Sequence, residues 1–323
     1  MTSVRMMDSQ MARVPKNFFA NSQSLPYDVF VRLGPDHFVL VGRTGSFSQV
    51  HRLKAFETDL VPWFYISRNE FSIYLEQTVL RATGLSQAQV DRGELMNSVS
   101  GGLLAVFELA RWSDFTPEAW RTVHHMADLV AESVLGRPSL GNLLSELQKV
   151  RELQMKHSVV VAMVTLVIAR DMGGVSRDDL TLLASAGLLH DIGFLKLPEE
   201  ITTKSEDALR PDERRIFQNH PALGARLLRG CSQIPENVIR LVEEHHETAS
   251  GTGYPDRRTT EQLHRLSLPL SLAERFSELT VGDGLHQDFL SPAAAVRAIA
   301  SLEGAPYPPE LVKILERHFR PSS

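Results

Sequence analysis

Five histidines sit on or beside the apolar faces of four successive helical segments, and that placement constrains the chain more than any other feature of its sequence. Leu147, Val150, Leu153, His157, Val160, Val164 and Val167 recur at intervals of three and four, which predicts a long helix with His157 on its buried stripe. Ser176 and Asp179 form a capping pair for a helix running to Leu188-Leu189-His190-Asp191, with Gly193 as its stop. Pro211 opens a third helix through Phe217 and His220, with Pro221 expected to kink it. From Pro235 a fourth carries Val238, Leu241, Val242 and His245, followed directly by His246, and a fifth near 268–279 bears Glu274. One histidine on an apolar face is usually a satisfied core residue. Five of them, with Asp191 beside one, would leave many buried polar groups needing separate partners, and a shared metal site satisfies them together.

So many ligands exceed the four of a structural zinc, which usually include cysteine. Two ions sharing a bridging carboxylate fit better, and Asp191, directly after His190, is the natural bridge. Two ions roughly 3.5–4 Å apart lower the pKa of a bridging water and clamp phosphate oxygens during in-line attack. Hydrolysis of a phosphomonoester or phosphodiester is therefore the expected reaction class.

The remainder of the chain sets the frame. Its 323 residues allow two domains at roughly 150 residues each. A formal charge of −5 gives no footprint for duplex nucleic acid. No run reaches the roughly 18–20 apolar residues of a membrane span, and the single cysteine, Cys231, suits a reducing compartment, so the expected location is the cytoplasm. Residues 1–24 show no periodicity and are expected to form a mobile arm. Val29, Val31 and Leu33 alternate with Phe30 and Arg32 ahead of a Gly34-Pro35-Asp36 turn, and Phe38 to Val41 returns as the second strand of a hairpin. Trp63 to Ile66 reads as a third strand, and Ser67-Arg68-Asn69-Glu70 as a helix start. Two or three helices fit between Ser86 and Val134, and Gly136-Arg137-Pro138 breaks the pattern. The fold expected is mainly α: a small α/β module with a helical linker over 25–138, regulatory or dimerising, then an all-helical metal-binding domain over 139–323. A homodimer fits its helical stripes.

His190-Asp191-Ile192-Gly193 followed by Leu197-Pro198, Asn219-His220-Pro221 with Gly224, and His245-His246-Glu247 leading into Gly251-Thr252-Gly253-Tyr254-Pro255 form an ordered set. With those blocks, residues from about 143 to 318 resemble the HD-GYP family, metal-dependent phosphohydrolases that act on the bacterial second messenger cyclic di-GMP. The resemblance implies a five-helix core with added helices and a bimetallic or trimetallic centre holding iron, with manganese as the alternative. It makes His157, His190, Asp191, His220, His245 and His246 metal ligands, with Asp191 catalytic, and places Glu274 where the family has an Asp in a segment reading "ADVFDAL". Leu153 stands where three-metal members carry a Glu, which favours two metals.

The sequence departs from the family around the substrate. Phe194 replaces a Lys, Ser250 an Asp, and Gly282-Asp283-Gly284-Leu285 with His286 stands where an Arg and a Lys bind the dinucleotide phosphates. Arg226, Arg229, Arg257, Arg258 and Arg275 are the cations that could compensate, Arg257 and Arg258 foremost because they follow Tyr254-Pro255. Gly253 and Tyr254 shape substrate access or dock a protein partner. The expected activity is hydrolysis of cyclic di-GMP to pGpG or GMP. The alternatives are a catalytically impaired sensor or scaffold that binds metal and a nucleotide or protein, and a phosphohydrolase with another phosphate ester as substrate.

Overall fold

The computed structural model describes residues 2–15, 25–46, 53, 61, 63–87, 92–136, 140–141, 144, 153–281 and 289–319. Five strands form one antiparallel sheet in the order β1-β4-β3-β5-β2: β1 (Thr2–Arg5), β2 (Met11–Val14), β3 (Val29–Gly34), β4 (His37–Gly42) and β5 (Phe64–Ser67). The β3–β4 hairpin and β5 are where the alternation predicts them, and Asp36 takes the left-handed turn position at φ 51°. Strands β1 and β2 correct the expectation of a loose arm over 1–24. Thr2 pairs with Leu40 and Met11 with Ser67, so the ladders that order these segments come from distant parts of the chain, and four residues are too few to show a period. The hairpin also departs from simple alternation. Val29 and Val31 enter the main core, Phe30 packs with Met11 and Phe38 on the other face, and Leu33 is 66 % exposed.

Helix α1 (Phe71–Gln87) is entered through a turn in which the Ser67 hydroxyl accepts from the Asn69 N–H. Helices α2 (Arg92–Trp112) and α3 (Pro117–Leu135) follow, the latter capped by Thr116 and closed at Gly136. Among the described residues the named elements of the second half are helices: α4 (Leu153–Met172), α5 (Arg177–Leu189), a 3-10 segment His190–Lys196, α6 (Glu199–Thr202), α7 (Pro211–Phe217), α8 (His220–Arg229), α9 (Glu236–Glu244), α10 (Ser267–Thr280), α11 (Pro292–Ala300) and α12 (Pro309–Phe319). Ser176 caps α5 through the Asp179 N–H, as its spacing predicts. Among the described residues no helix is long and apolar enough to cross a membrane.

Two helix boundaries differ from the sequence reading. The chain does not stop at Gly193 but continues as a 3-10 turn to Lys196. Gly193 serves close packing instead, since a Cβ there would overlap the carbonyl oxygen of His220. Nor does one kinked helix run through His220. The helix ends at Phe217 and a new one begins at His220, with Pro221 in its first turn, where a missing N–H leaves no hydrogen bond unmade.

Helices α4, α5, α8, α9 and α10 form the core of the second half. Helix α4 packs on α5 and α10, α9 lies against α5 and α8, and α8 covers the His190–Lys196 turn. Helix α3 packs across α4 and α5, α2 reaches the same turn, and β2 rests on α2. One buried apolar cluster consequently runs from Ala12 to Leu315, through the break at Gly136. Helices α4 and α5 cross closely, and a Cβ on Gly187 would lie 2.7 Å from the Ala162 Cα. Gly187→Val should therefore cost about 1–3 kcal/mol through overpacking, read as a lower urea midpoint. An unchanged midpoint would mean the two helices are free to separate.

Candidate metal centre

Three of the five histidines stand at helix C-terminal ends, where last-turn carbonyls lack an intrahelical partner. His190 follows α5 directly, His245 follows α9, and His220 lies three residues beyond the last residue of α7. Each ring sets its Nδ1 against the carbonyl three residues earlier: His190 on Gly187 at 2.8 Å, His220 on Phe217 at 2.9 Å and His245 on Val242 at 2.6 Å. A carbonyl can only accept, so Nδ1 carries the hydrogen and Nε2 turns its lone pair toward the centre. His157, in the second turn of α4, is oriented differently, with its Nδ1 3.1 Å from the Ser277 hydroxyl on α10.

The Nε2 atoms converge in two sets. His157 Nε2 is 3.2 Å from His190 Nε2, and Glu274 Oε2 is 3.1 Å from both. His220 Nε2 and His245 Nε2 lie 3.1 Å apart, and His246 joins them. Asp191 stands between the sets. Its Oδ2 is 3.2 Å from His190, while its Oδ1 is 3.5 Å from His220 and 3.9 Å from His245. All are buried except His246, which is partly so. Two imidazole lone pairs about 3 Å apart repel unless a positive charge lies between them, and neutral imidazole with carboxylate is the donor set of first-row divalent cations. The residues present therefore fit metal ions.

Burial, reinforced by neighbouring histidines, lowers the pKa of His245 well below its ordinary value and that of His246 to about 3. His220 is lowered too, again chiefly by burial, with Asp191 opposing. The other set behaves oppositely. Burial works against protonated His157 and His190, but Glu274 and Asp191 outweigh it and raise both. Burial likewise works against the ionised forms of Asp191 and Glu274, yet the histidines hold both carboxyls below their usual range. Before metal enters, one set is proton-poor and the other holds protons between its rings and carboxylates.

The segment after His246 is anchored by two acids that flank the histidine pair. Buried Glu244 accepts from the Arg240 and Arg258 guanidinium groups at 2.7 Å each, from the His264 N–H at 2.8 Å and from the Ser267 hydroxyl. Buried Glu247 accepts the Asp256 and Arg258 N–H groups at 2.8 and 3.0 Å. Between these anchors a Cβ on Gly253 would collide with the His246 carbonyl, so only glycine lets the loop close over the histidines. Tyr254 stacks on His246 with centroids 4.4 Å apart. Burial first, then Glu278, raises its phenol well above the ordinary value and keeps it neutral. Arg257 is exposed, whereas Arg258 is engaged by Glu244, Asp256 and Glu243.

The HD domain family model matches residues 142–311, more than half of the chain. The chain belongs to the HD-GYP family. It is 33 % identical over 184 residues to a cyclic di-GMP phosphodiesterase of Pseudomonas aeruginosa, covering 56 % of this chain and 44 % of that protein. With the cyclic di-GMP phosphodiesterase PdeB of Borreliella burgdorferi the identity is 29 % over 143 residues, covering 44 % and 37 %. The chain thus spans less than half the length of these two relatives. A solved HDG"Y"P protein from Bdellovibrio bacteriovorus shares the fold over 98 % of both chains, with a TM-score of 0.67 and 19 % identity.

Within this HD-GYP domain, Phe194 at the family's Lys position stacks on His220, with centroids 4.1 Å apart and planes 21° apart. The Ser250 hydroxyl meets Thr252 at 2.9 Å and Thr248 at 3.3 Å. Asp283 and His286 lie outside the described residues. Arg229 pairs with Glu236 and Glu243, Arg226 is exposed, and Arg275 pairs with Glu278 at 2.8 Å. Glu278 is pushed up to about 7 by burial and then by Glu274, with Arg275 opposing. Sequence reasoning missed the roles of Ser277, Glu244 and Glu247. The signal for Ser277 was its position three residues after Glu274, and for the two acids their adjacency to His245 and His246.

Because imidazole binds metal only when neutral, loading must expel protons from the His157–His190 set. Metal affinity should rise with pH through neutrality, by about tenfold per pH unit for each proton released. Titration calorimetry in buffers of different ionisation enthalpy reads the proton count directly. No buffer dependence near pH 6.5 would contradict the raised histidines.

Proposed function

We propose that this HD-GYP domain is a two-metal phosphodiesterase that hydrolyses cyclic di-GMP to pGpG, GMP or both. The observation carrying this reading is the position of Asp191, whose two oxygens face different histidine sets. In it His157, His190 and Glu274 would hold one ion and His220, His245 and His246 the other, with Asp191 shared between the two sets. Iron is the proposed metal, with manganese as the alternative. When bound, two divalent ions supply Lewis acidity, bringing a water toward deprotonation at neutral pH and neutralising phosphate charge. The chain's own residues do the rest. Backbone carbonyls orient three rings, Ser277 orients a fourth, and the anchored loop places Gly253 and Tyr254 beside His246, where they bound the substrate's approach. Arg257 is the loop cation free of the carboxylates that engage Arg258. The names of the relatives support cyclic di-GMP as the substrate.

A second reading is favoured by Phe194, which puts an aromatic face on His220 where the family has a cation. In that reading the metal centre is retained for binding a nucleotide or a protein partner through the Tyr254 loop, and turnover is lost. Another phosphate ester as substrate is the third. We place residues 25–138 as the regulatory or dimerising part, supported by the packing of α2 on the His190–Lys196 turn, and propose a cytoplasmic homodimer.

A panel of cyclic dinucleotides and simple phosphodiesters, assayed anaerobically with iron and with manganese, separates the readings. Multiple turnover of cyclic di-GMP is expected. Binding without product supports the sensor, and turnover of another ester alone supports the third reading. Asp191→Ala should remove bound metal and turnover together, measured by elemental analysis and product chromatography. Activity persisting in metal-free Asp191→Ala protein would sink the two-metal reading.

A further inference from the structure

Arg275 and Glu278 follow Glu274 on α10, one and four residues on, and have no part in the ligand cluster. Ser267, Ser271, Glu274 and Glu278 are spaced four, three and four apart, so they share one helix face. The first three are buried at 1 %, 3 % and 4 % exposure and work inward: Ser267 on Glu244, Ser271 on the Glu247 carbonyl and Glu274 on His157 and His190. At Glu278 the same face reaches solvent, with its side chain 30 % exposed and that of Arg275 41 %. The polar stripe therefore leads from the ligand cluster to the surface, and the Arg275–Glu278 pair stands at its outer end. Tyr254 and Tyr307 border it, both sensing the charge of Glu278 and Tyr307 also that of Arg275.

The pair is built to open. Arg258 and Arg240 are tied to fully buried Glu244, but Arg275 faces a partly exposed carboxylate three residues along its own helix, a weak class of ion pair. A phosphate offers the same planar fork a better bidentate partner. We propose that Arg275 is the phosphate-contacting cation of this site, held by Glu278 until an incoming phosphate displaces the carboxylate. It supplies a grip that the family's motif, with Val and Ala at these two positions, does not provide there. The inference rests on the phosphohydrolase reading for its substrate, although anion capture itself is testable without it.

Inorganic phosphate is titrated calorimetrically into the metal-loaded full chain, with metal content and melting temperature measured in parallel. Arg275→Met should weaken phosphate binding about tenfold or more, and Arg275→Lys by less. Glu278→Gln should strengthen it, because the guanidinium is then released, and metal content should match wild type throughout. Opposite signs for the two partners are the signature, since a purely structural pair would lose binding and melting temperature on both sides. Equal phosphate affinity in wild type and Arg275→Met, weakening by Glu278→Gln, or no phosphate binding by wild type would overturn the proposal. If these signs appear while cyclic di-GMP is not turned over, the dinucleotide reading fails and the Arg275 assignment stands. If turnover occurs and phosphate binding ignores Arg275, the reverse holds.

Discussion

A carboxylate buried between two clusters of imidazole nitrogens is the constraint around which this molecule is organised. Ionised Asp191 has almost no access to solvent, and an unpaired charge there would be prohibitively costly. Its compensation comes from four different segments: His157 on α4, His190 beside it, His220 at the start of α8 and His245 at the end of α9. The ends of these elements are therefore tied to one point. The close approach at Gly187 and the overlap forbidden at Gly193 are what that convergence requires of the backbone.

Helix termini do most of the orienting. An unpaired last-turn carbonyl is ordinarily satisfied by water or a cap, yet three times here it is satisfied by the Nδ1–H of a histidine just past the helix. One interaction thus caps the helix, selects the tautomer and aims Nε2. The same economy recurs next to the histidine pair, where Glu244 gathers Arg240, Arg258, His264 and Ser267 while Glu247 collects the N–H groups of the loop. The histidine pair and the Gly253–Tyr254 loop are held by neighbouring residues of one short segment, so displacement of either would disturb the other.

The ordered His and Asp blocks could be read from sequence because ligand chemistry depends on residue type and helical spacing, both local properties. Cap and strand signals at Ser176, Ser67 and the β3–β4 hairpin were legible for the same reason. What escaped was non-local. Thr2–Arg5 and Met11–Val14 become strands only because β4 and β5 offer them edges, and Pro221 marks a helix start only because the chain turns before it. Ser277 stands one turn after Glu274, but that it meets His157, a residue on another helix, depends on how α4 and α10 pack.

Residue types and their periods alone determined that helices would bring five histidines and an acid together and that a small strand module would precede them. Tertiary structure decided the division of those residues into two sets, since which oxygen of Asp191 faces which ring depends on how α5, α8 and α9 cross. It also decided the fate of the arginines. Arg258 and Arg275 are both candidate cations in the sequence, but one is locked to a carboxylate buried in the core and the other to one that is partly exposed. The strength of an ion pair is set by its solvent exposure, and exposure exists only once the chain is packed.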